Sequence, residues 1–246
     1  MAAIHALFRF AALRHPEHAA TIQRVLAIPP KRFDRRLVTY LDDAEVTALL
    51  AAPDTDTWTG RRDHALLTLA VQTGLRASEL TSLKHADLHL GVGAHVTCTG
   101  KGRKQRITPL TATTVSVMSA WTAHRNSGPT DPLFPSRYGT PMSRDALQQR
   151  LATHAATAAR SAPTLLEKRI SPHVLRHTAA MRLLAAGVDS TVIALWLGHE
   201  KVATTQIYIH ADLAIKQHAM DRTAPLNTEP GCYHPDDDVL AFLSSL

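Results

Sequence analysis

The stretch S-P-H-V-L-R-H-T-A-A-M-R-L-L-A-A-G, residues 171–187, decides how the rest of the chain is read. Ser171 is a good N-cap, because its hydroxyl can accept one of the N–H groups that a helix start leaves unpaired. Pro172 has no N–H to lose at the first helical position, and Gly187 is a natural stop. The two bound a helix of roughly four turns. Along it His173, Arg176 and His177 stand at i, i+3 and i+4 and so share a face near the positive end, while Ala179, Leu183 and Leu184 can pack inward. Cations there are unfavourable unless an anion sits beside them. A second helix carries Leu195, Trp196 and Leu197 and stops at Gly198-His199, and a third segment then presents Tyr208. Two basic side chains, a third imidazole and one phenol so close together suggest a site that handles a phosphate.

Outward from this stretch the pattern is mainly helical. Residues 3–14 put Ile4, Leu7, Phe8 and Ala11 on one stripe of an amphipathic helix, and His18 to Leu26 forms a second, short one. Ile28-Pro29-Pro30 followed by Lys31, Arg32, Arg35 and Arg36 reads as an extended basic linker, or equally as a solvated loop. Asp42 and Glu45 make a capping box for a helix that Pro53 ends. Gly60 to Thr73 has a broad apolar face of Ala65, Leu66, Leu69 and Ala70 and is closed by Gly74, and Ala77 to Leu83 opens a further helix. From Val96 the period changes to V-T-C-T, G-K-G-R-K, Q-R-I-T-P-L, which is strand, turn, strand and sets Lys101 in the turn of a hairpin. Leu110 to His124 returns to helix, residues 126–142 form a loop, and Ser143 caps a helix to about Ser161. The expected class is mainly α with a small antiparallel β-sheet, α+β.

With 246 residues, 45% of them hydrophobic, the chain can bury one good core with appendages. The net charge is +6, and residues 225–246 hold Glu229, Asp236, Asp237 and Asp238 without Lys or Arg, so the tail is at −4 and the remainder at +10. A basic body points to a polyanionic partner. Two cysteines, Cys98 and Cys232, make no disulfide framework, which favours a reduced, cytoplasmic protein. No apolar run approaches the ~20 residues needed to span a bilayer, and no signal-peptide pattern opens the chain. Neither G-x-x-x-x-G-K-[ST] nor G-x-G-x-x-G is present, so no nucleotide cofactor is expected.

T-G-L-R-A-S-E-L (residues 73–80), G-K-G-R-K (100–104), H-V-L-R-H-T (173–178), L-G-H (197–199) and Tyr208, in this order, resemble the tyrosine recombinase (phage integrase) family from Leu41 to about Asp221. Five spaced motifs in sequence are far more specific than any one of them. The resemblance implies an enzyme that breaks and rejoins double-stranded DNA through a 3′-phosphotyrosyl link, without metal, cofactor or small-molecule substrate. It makes Tyr208 the nucleophile, Arg76 and Arg176 the holders of the non-bridging oxygens, and Lys101 the donor of a proton to the departing 5′-oxygen. It gives His173 a general-base or relay role and His199 a hydrogen bond to the phosphate, with Glu79 and His177 in support. The physical logic agrees. A phenol of pKa about 10 attacks at neutral pH only if its proton is accepted, and a planar five-donor cation suits a phosphorane's extra charge.

Lys31, Arg32, Arg35, Arg36, Arg103 and Lys104 are expected on the DNA backbone. The resemblance further implies a homo-oligomer, a tetramer on paired sites. Residues 1–36 read as the remnant of a helical core-binding domain plus linker, 37–224 as the catalytic domain, and 225–246 as an acidic tail whose short helix docks on a neighbour or on its own chain. Three rivals stand beside this reading: a non-catalytic DNA-binding relic, a topoisomerase-like relaxing enzyme, and a zinc hydrolase using His173 and His177. The zinc reading lacks a zincin's Glu and places Arg176 beside the metal.

Overall fold

The computed structural model describes residues 2–29, 38–100, 105–123 and 127–198. Its contacts divide between Leu37 and Val38. In the first unit α1 (Ala2–Ala12) and α2 (Ala19–Leu26), joined by a 3-10 turn over Pro16–His18, form a helical hairpin. The apolar stripe of α1 is only partly covered, with Ile4 and Leu7 exposed and Phe8 and Ala11 half-buried, and Ile22 alone is buried among the described residues of this unit. Two short helices cannot cover a full apolar stripe between them.

The second unit is built around α4 (Trp58–Thr73), whose Ala65, Leu66, Leu67, Leu69, Ala70 and Val71 are all buried. It packs on α3 (Asp43–Ala51), α6 (Ala112–Ala123) and α8 (Pro172–Ala185), and α7 (Arg144–Ala158) covers α3 and α5 (Ala77–Ser82). Each large side chain enclosed in this way stabilises the fold by about 1.5–3 kcal/mol. The capping box of α3 forms as expected: Asp42 Oδ1 accepts from Glu45 N at 2.8 Å, and Asp42 N donates to Glu45 Oε2 at 2.9 Å. α4 starts two residues before Gly60, because the Thr57 hydroxyl accepts from Gly60 N at 3.0 Å and so acts as N-cap. The helix expected to run to about Ser161 ends at Ala158.

The expected hairpin is present as β2 (His95–Thr99) and β3 (Gln105–Pro109), and a short β1 (Leu88–His89) adds a third antiparallel strand, order β1-β2-β3. β1 has two residues, too few for an alternating pattern to announce it. The register pairs Cys98 with Arg106 and Val96 with Thr108, so these four face the core side while Ile107 points outward, 65% exposed. α9 (Ser190–Leu197) follows α8, with Ile193 and Leu197 buried against Ala180 and Met181. The apolar run Leu195-Trp196-Leu197 is split: Leu197 is enclosed, Trp196 is half-buried and Leu195 is exposed. No described helix is long and apolar enough to cross a membrane.

Candidate functional site

The site forms where the C-terminal ends of α4 and α9 meet the start of α5 and the middle of α8. Gly74 closes α4 in the left-handed conformation at φ 64°, and a Cβ there would lie 2.6 Å from Leu197 Cδ2 and 3.0 Å from Ala179 Cβ. Gly198 closes α9 at φ 65°. Both termini leave carbonyls without helical partners. Arginines from elsewhere in the chain take them.

Arg176, on α8, is 5% exposed; its Nη1 donates to Gly74 O at 2.8 Å and its Nη2 to Leu197 O at 2.6 Å. Arg76, the N-cap of α5, donates from Nη2 to Gly198 O at 3.0 Å. Two guanidiniums a hundred positions apart in the sequence thus converge on consecutive carbonyls, immediately before His199. Arg176 also differs from the sequence expectation. It is not displayed beside a helix N-terminus but buried, with the negative ends of two helices offsetting its charge. On the same helix His173 is exposed and His177 half-buried. Burial, followed by the positive charge of His173 and Arg176, holds the His177 pKa below the ordinary imidazole value.

Glu79 is the anion at the centre of the cluster, 4% exposed. Its Oε1 accepts from Arg76 Nη1 and from Arg106 Nη1, each at 2.9 Å, and its Oε2 accepts from the Arg76 backbone N and from Arg106 Nη2, each at 2.8 Å. Burial pushes this carboxyl up, but the hydrogen bonds and charge of Arg106 and Arg76 outweigh it and bring the pKa down to about 2. The side chain of Arg76 stays 35% exposed and faces an open groove of about 510 Å³. Arg144, Ser78, Ser82 and Thr99 also line that groove, which runs to Gly100 at the edge of the hairpin turn. Its lining can bind an extended anion through two guanidiniums and several hydroxyls.

Of the residues the sequence singled out, the structure brings Arg76, Glu79 and Arg176 together around the α9 terminus and places His173 and His177 on α8 beside Arg176. Lys101, His199 and Tyr208 lie outside the described residues, as do Lys31, Arg32, Arg35, Arg36, Arg103, Lys104 and the acidic tail. Sequence reading missed Arg106 and Arg144. The signal for Arg144 was its place directly after the N-cap Ser143, a position that projects from the start of a helix. Arg106 gave none, because strand alternation taken alone turns Ile107 inward. Among the described residues, no three His, Cys, Asp or Glu side chains gather to hold a metal ion.

Residues 39–214 match the Phage integrase family, and the chain belongs to that family; its fold is that of a tyrosine recombinase catalytic domain. It is 54% identical over 246 residues to y4rC of Sinorhizobium fredii, a protein named as an integrase/recombinase, covering 100% of this chain and 74% of y4rC. It is 37% identical over 191 residues to the tyrosine recombinase XerC of Xylella fastidiosa, covering 78% of this chain and 62% of XerC. In three dimensions it is similar to the XerH site-specific recombinase bound to a palindromic difH substrate in a post-cleavage complex, with a TM-score of 0.66 at 26% identity, covering 80% of this chain and 57% of that one. The chain therefore spans less than two thirds of XerC and of XerH.

Proposed function

We propose that this chain is a site-specific recombinase that cleaves and rejoins double-stranded DNA, serving a mobile element from the cytoplasm. The observation that carries the reading is the convergence of Arg76 and Arg176 on the α9 terminus, one residue before His199 in the sequence, with Arg76 lining a groove that reaches Gly100, the residue before Lys101. In the proposed step the Tyr208 oxygen attacks the phosphorus and the bond from phosphorus to the 5′-oxygen breaks. His173 takes up the phenolic proton, and Lys101 delivers one to the departing oxygen. Arg76, Arg176 and His199 hold the charge that grows on the non-bridging oxygens. The energy of the cut bond is kept in the phosphotyrosine, so resealing needs no nucleotide. A homotetramer on paired sites would exchange strands between duplexes, and the basic residues of 31–36 and 103–104 would track the backbone.

The test uses a pool of nicked duplexes randomised around the nick, with protein-linked DNA recovered under denaturing conditions and sequenced. A covalent adduct is expected from the unaltered chain and none from Tyr208→Phe. An adduct that survives Tyr208→Phe, or none from either protein at low salt, would overturn the reading. Joining of two separate duplexes at the recovered sequence distinguishes recombination from relaxation.

A further inference from the structure

Arg106 appears in none of the motifs that announce the site, yet both of its terminal nitrogens are bonded to the carboxylate at the centre of it. The geometry points to Arg106 as a positioning residue for DNA cleavage: through a two-pronged bond to Glu79 it fixes the carboxylate that in turn aims the Arg76 guanidinium at the scissile phosphate. This rests on the recombinase reading above and adds to it a residue that acts without touching DNA.

Three observations carry the inference. Nη1 and Nη2 of Arg106 bind the two oxygens of Glu79 separately, at 2.9 and 2.8 Å, the parallel geometry that fixes a carboxylate's plane as well as its place. The remaining bonds of that carboxylate go to Arg76, one to its backbone N and one to its Nη1, so the plane set by Arg106 sets the angle at which Arg76 leaves the helix. Finally, Arg106 lies flat under the α9 terminus: a Cβ at Gly198 would meet its Nη1 at 2.8 Å and its Cζ at 3.3 Å. One side chain on β3 therefore joins the hairpin, the start of α5 and the residue before His199. A guanidinium 12% exposed, whose Nε has no hydrogen-bond partner among the described residues, is costly to bury for stability alone. A strand position opposite Cys98 would be filled more favourably by an apolar side chain.

The charged groups facing Glu79 are Arg76 and Arg106; the buried Cys98 thiol beside them, which also feels Arg176, is pushed up to about 11 by burial and is therefore neutral in the working range. Removing Arg106 takes away the main force holding the Glu79 pKa near 2 and leaves burial to push it upward. An acid limb should then appear that the unaltered chain lacks.

Single-turnover cleavage of the sequence recovered from the nicked pool is measured for the full chain, Arg106→Ala, Arg106→Lys, Glu79→Gln and the double variant Glu79→Gln/Arg106→Ala, alongside DNA affinity and thermal melting. Arg106→Ala is expected to cleave on the order of 100-fold more slowly with DNA affinity little changed, since misplacing a reacting group by about an ångström costs that much. Its rate relative to the unaltered chain should fall further from about pH 7 to about pH 5, and the relative rate of the double variant should not. Arg106→Lys keeps a positive charge but loses the fork, so it should be slow without the added acid limb. The double variant should be no slower than the slower single, because both changes break one chain of contacts. Equal rates for the unaltered chain and Arg106→Ala, or additive losses in the double variant, would overturn the inference while leaving the recombinase reading intact. Should Arg106→Ala not fold, an Arg106→Lys protein that cleaves at the full rate would overturn it equally. No adduct from the unaltered chain removes both.

Discussion

At the scale of single residues, the acid in the cluster explains more than the bases around it. Glu79 would be expensive to bury alone, and it is tolerated because four N–H donors surround it. Its folded pKa of about 2 lies below the ordinary value of 4.5, so its contribution to stability is complete above about pH 4.5 and is lost as the pH falls toward 2. That difference corresponds to about 3 kcal/mol. Glu79→Gln is therefore expected to be less stable than the unaltered chain at neutral pH, and the gap in urea-unfolding free energy should close progressively on acidification through this window. A gap that stays constant with pH would show that the ionised form is not what stabilises the fold. The residue motif also predicted a carboxylate beside the first arginine, but neither its second arginine partner nor its degree of burial could be read from T-G-L-R-A-S-E-L.

At the scale of elements, helix termini do the organising. α5, α8 and α9 are each too short to be stable alone, and their ends meet that of α4 so that arginines satisfy carbonyls the helices cannot. This needs close approach, which is why glycine stands at position 74. Gly74→Ala would place a methyl 2.6 Å from Leu197 Cδ2 in a backbone conformation that L-residues disfavour. The combined strain and overpacking should lower stability by about 2–4 kcal/mol, read as a shift in the urea midpoint. The same change pushes α9 away from Arg176, so adduct formation should fall with it; a variant as stable as the parent would mean that α9 is not held against α4. The hairpin shows where periodicity fails. Val96 and Cys98 on β2 dictate the inward face, and pairing then carries Arg106 and Thr108 to that face and Ile107 to solvent. Register, not hydrophobicity, decides which side chain reaches the site.

At the scale of the whole catalytic unit, a second buried charge network lies away from the groove. Asp63 Oδ1 accepts from Arg62 Nε at 2.9 Å and Nη2 at 2.7 Å, and its Oδ2 accepts from Arg150 Nε at 2.6 Å and pairs with His154 Nε2 at 2.8 Å. Arg62 also donates to Pro135 O at 2.9 Å, which ties α4, α7 and the loop after α6 into one body. Asp63→Ala would leave Arg62, 5% exposed, as an uncompensated charge, and is expected to cost about 3–5 kcal/mol of unfolding free energy. Cleavage measured well below the melting temperature should be unchanged, since Asp63 has no bond to the Arg76 cluster. A loss of cleavage at full foldedness would instead couple the two networks. Composition shows these charged residues but not that Arg62, Asp63 and His154 would be enclosed; Ala65, Leu66, Leu69 and Ala70 read as an apolar face, while nothing in the sequence marked Arg62 and Asp63 just before them as buried.

The sequence by itself determined the helical class, the caps at Asp42, Ser143 and Ser171, the hairpin, and the family motifs, because these are local: a cap, a period or a motif is complete within a few residues. Tertiary structure alone decided that Arg176 is buried on helix carbonyls, that Arg106 grips Glu79, and that Leu195 faces outward. Those outcomes depend on which distant segments meet, and a side chain's partner 27 or 102 positions away is set by packing and register, which no local pattern encodes.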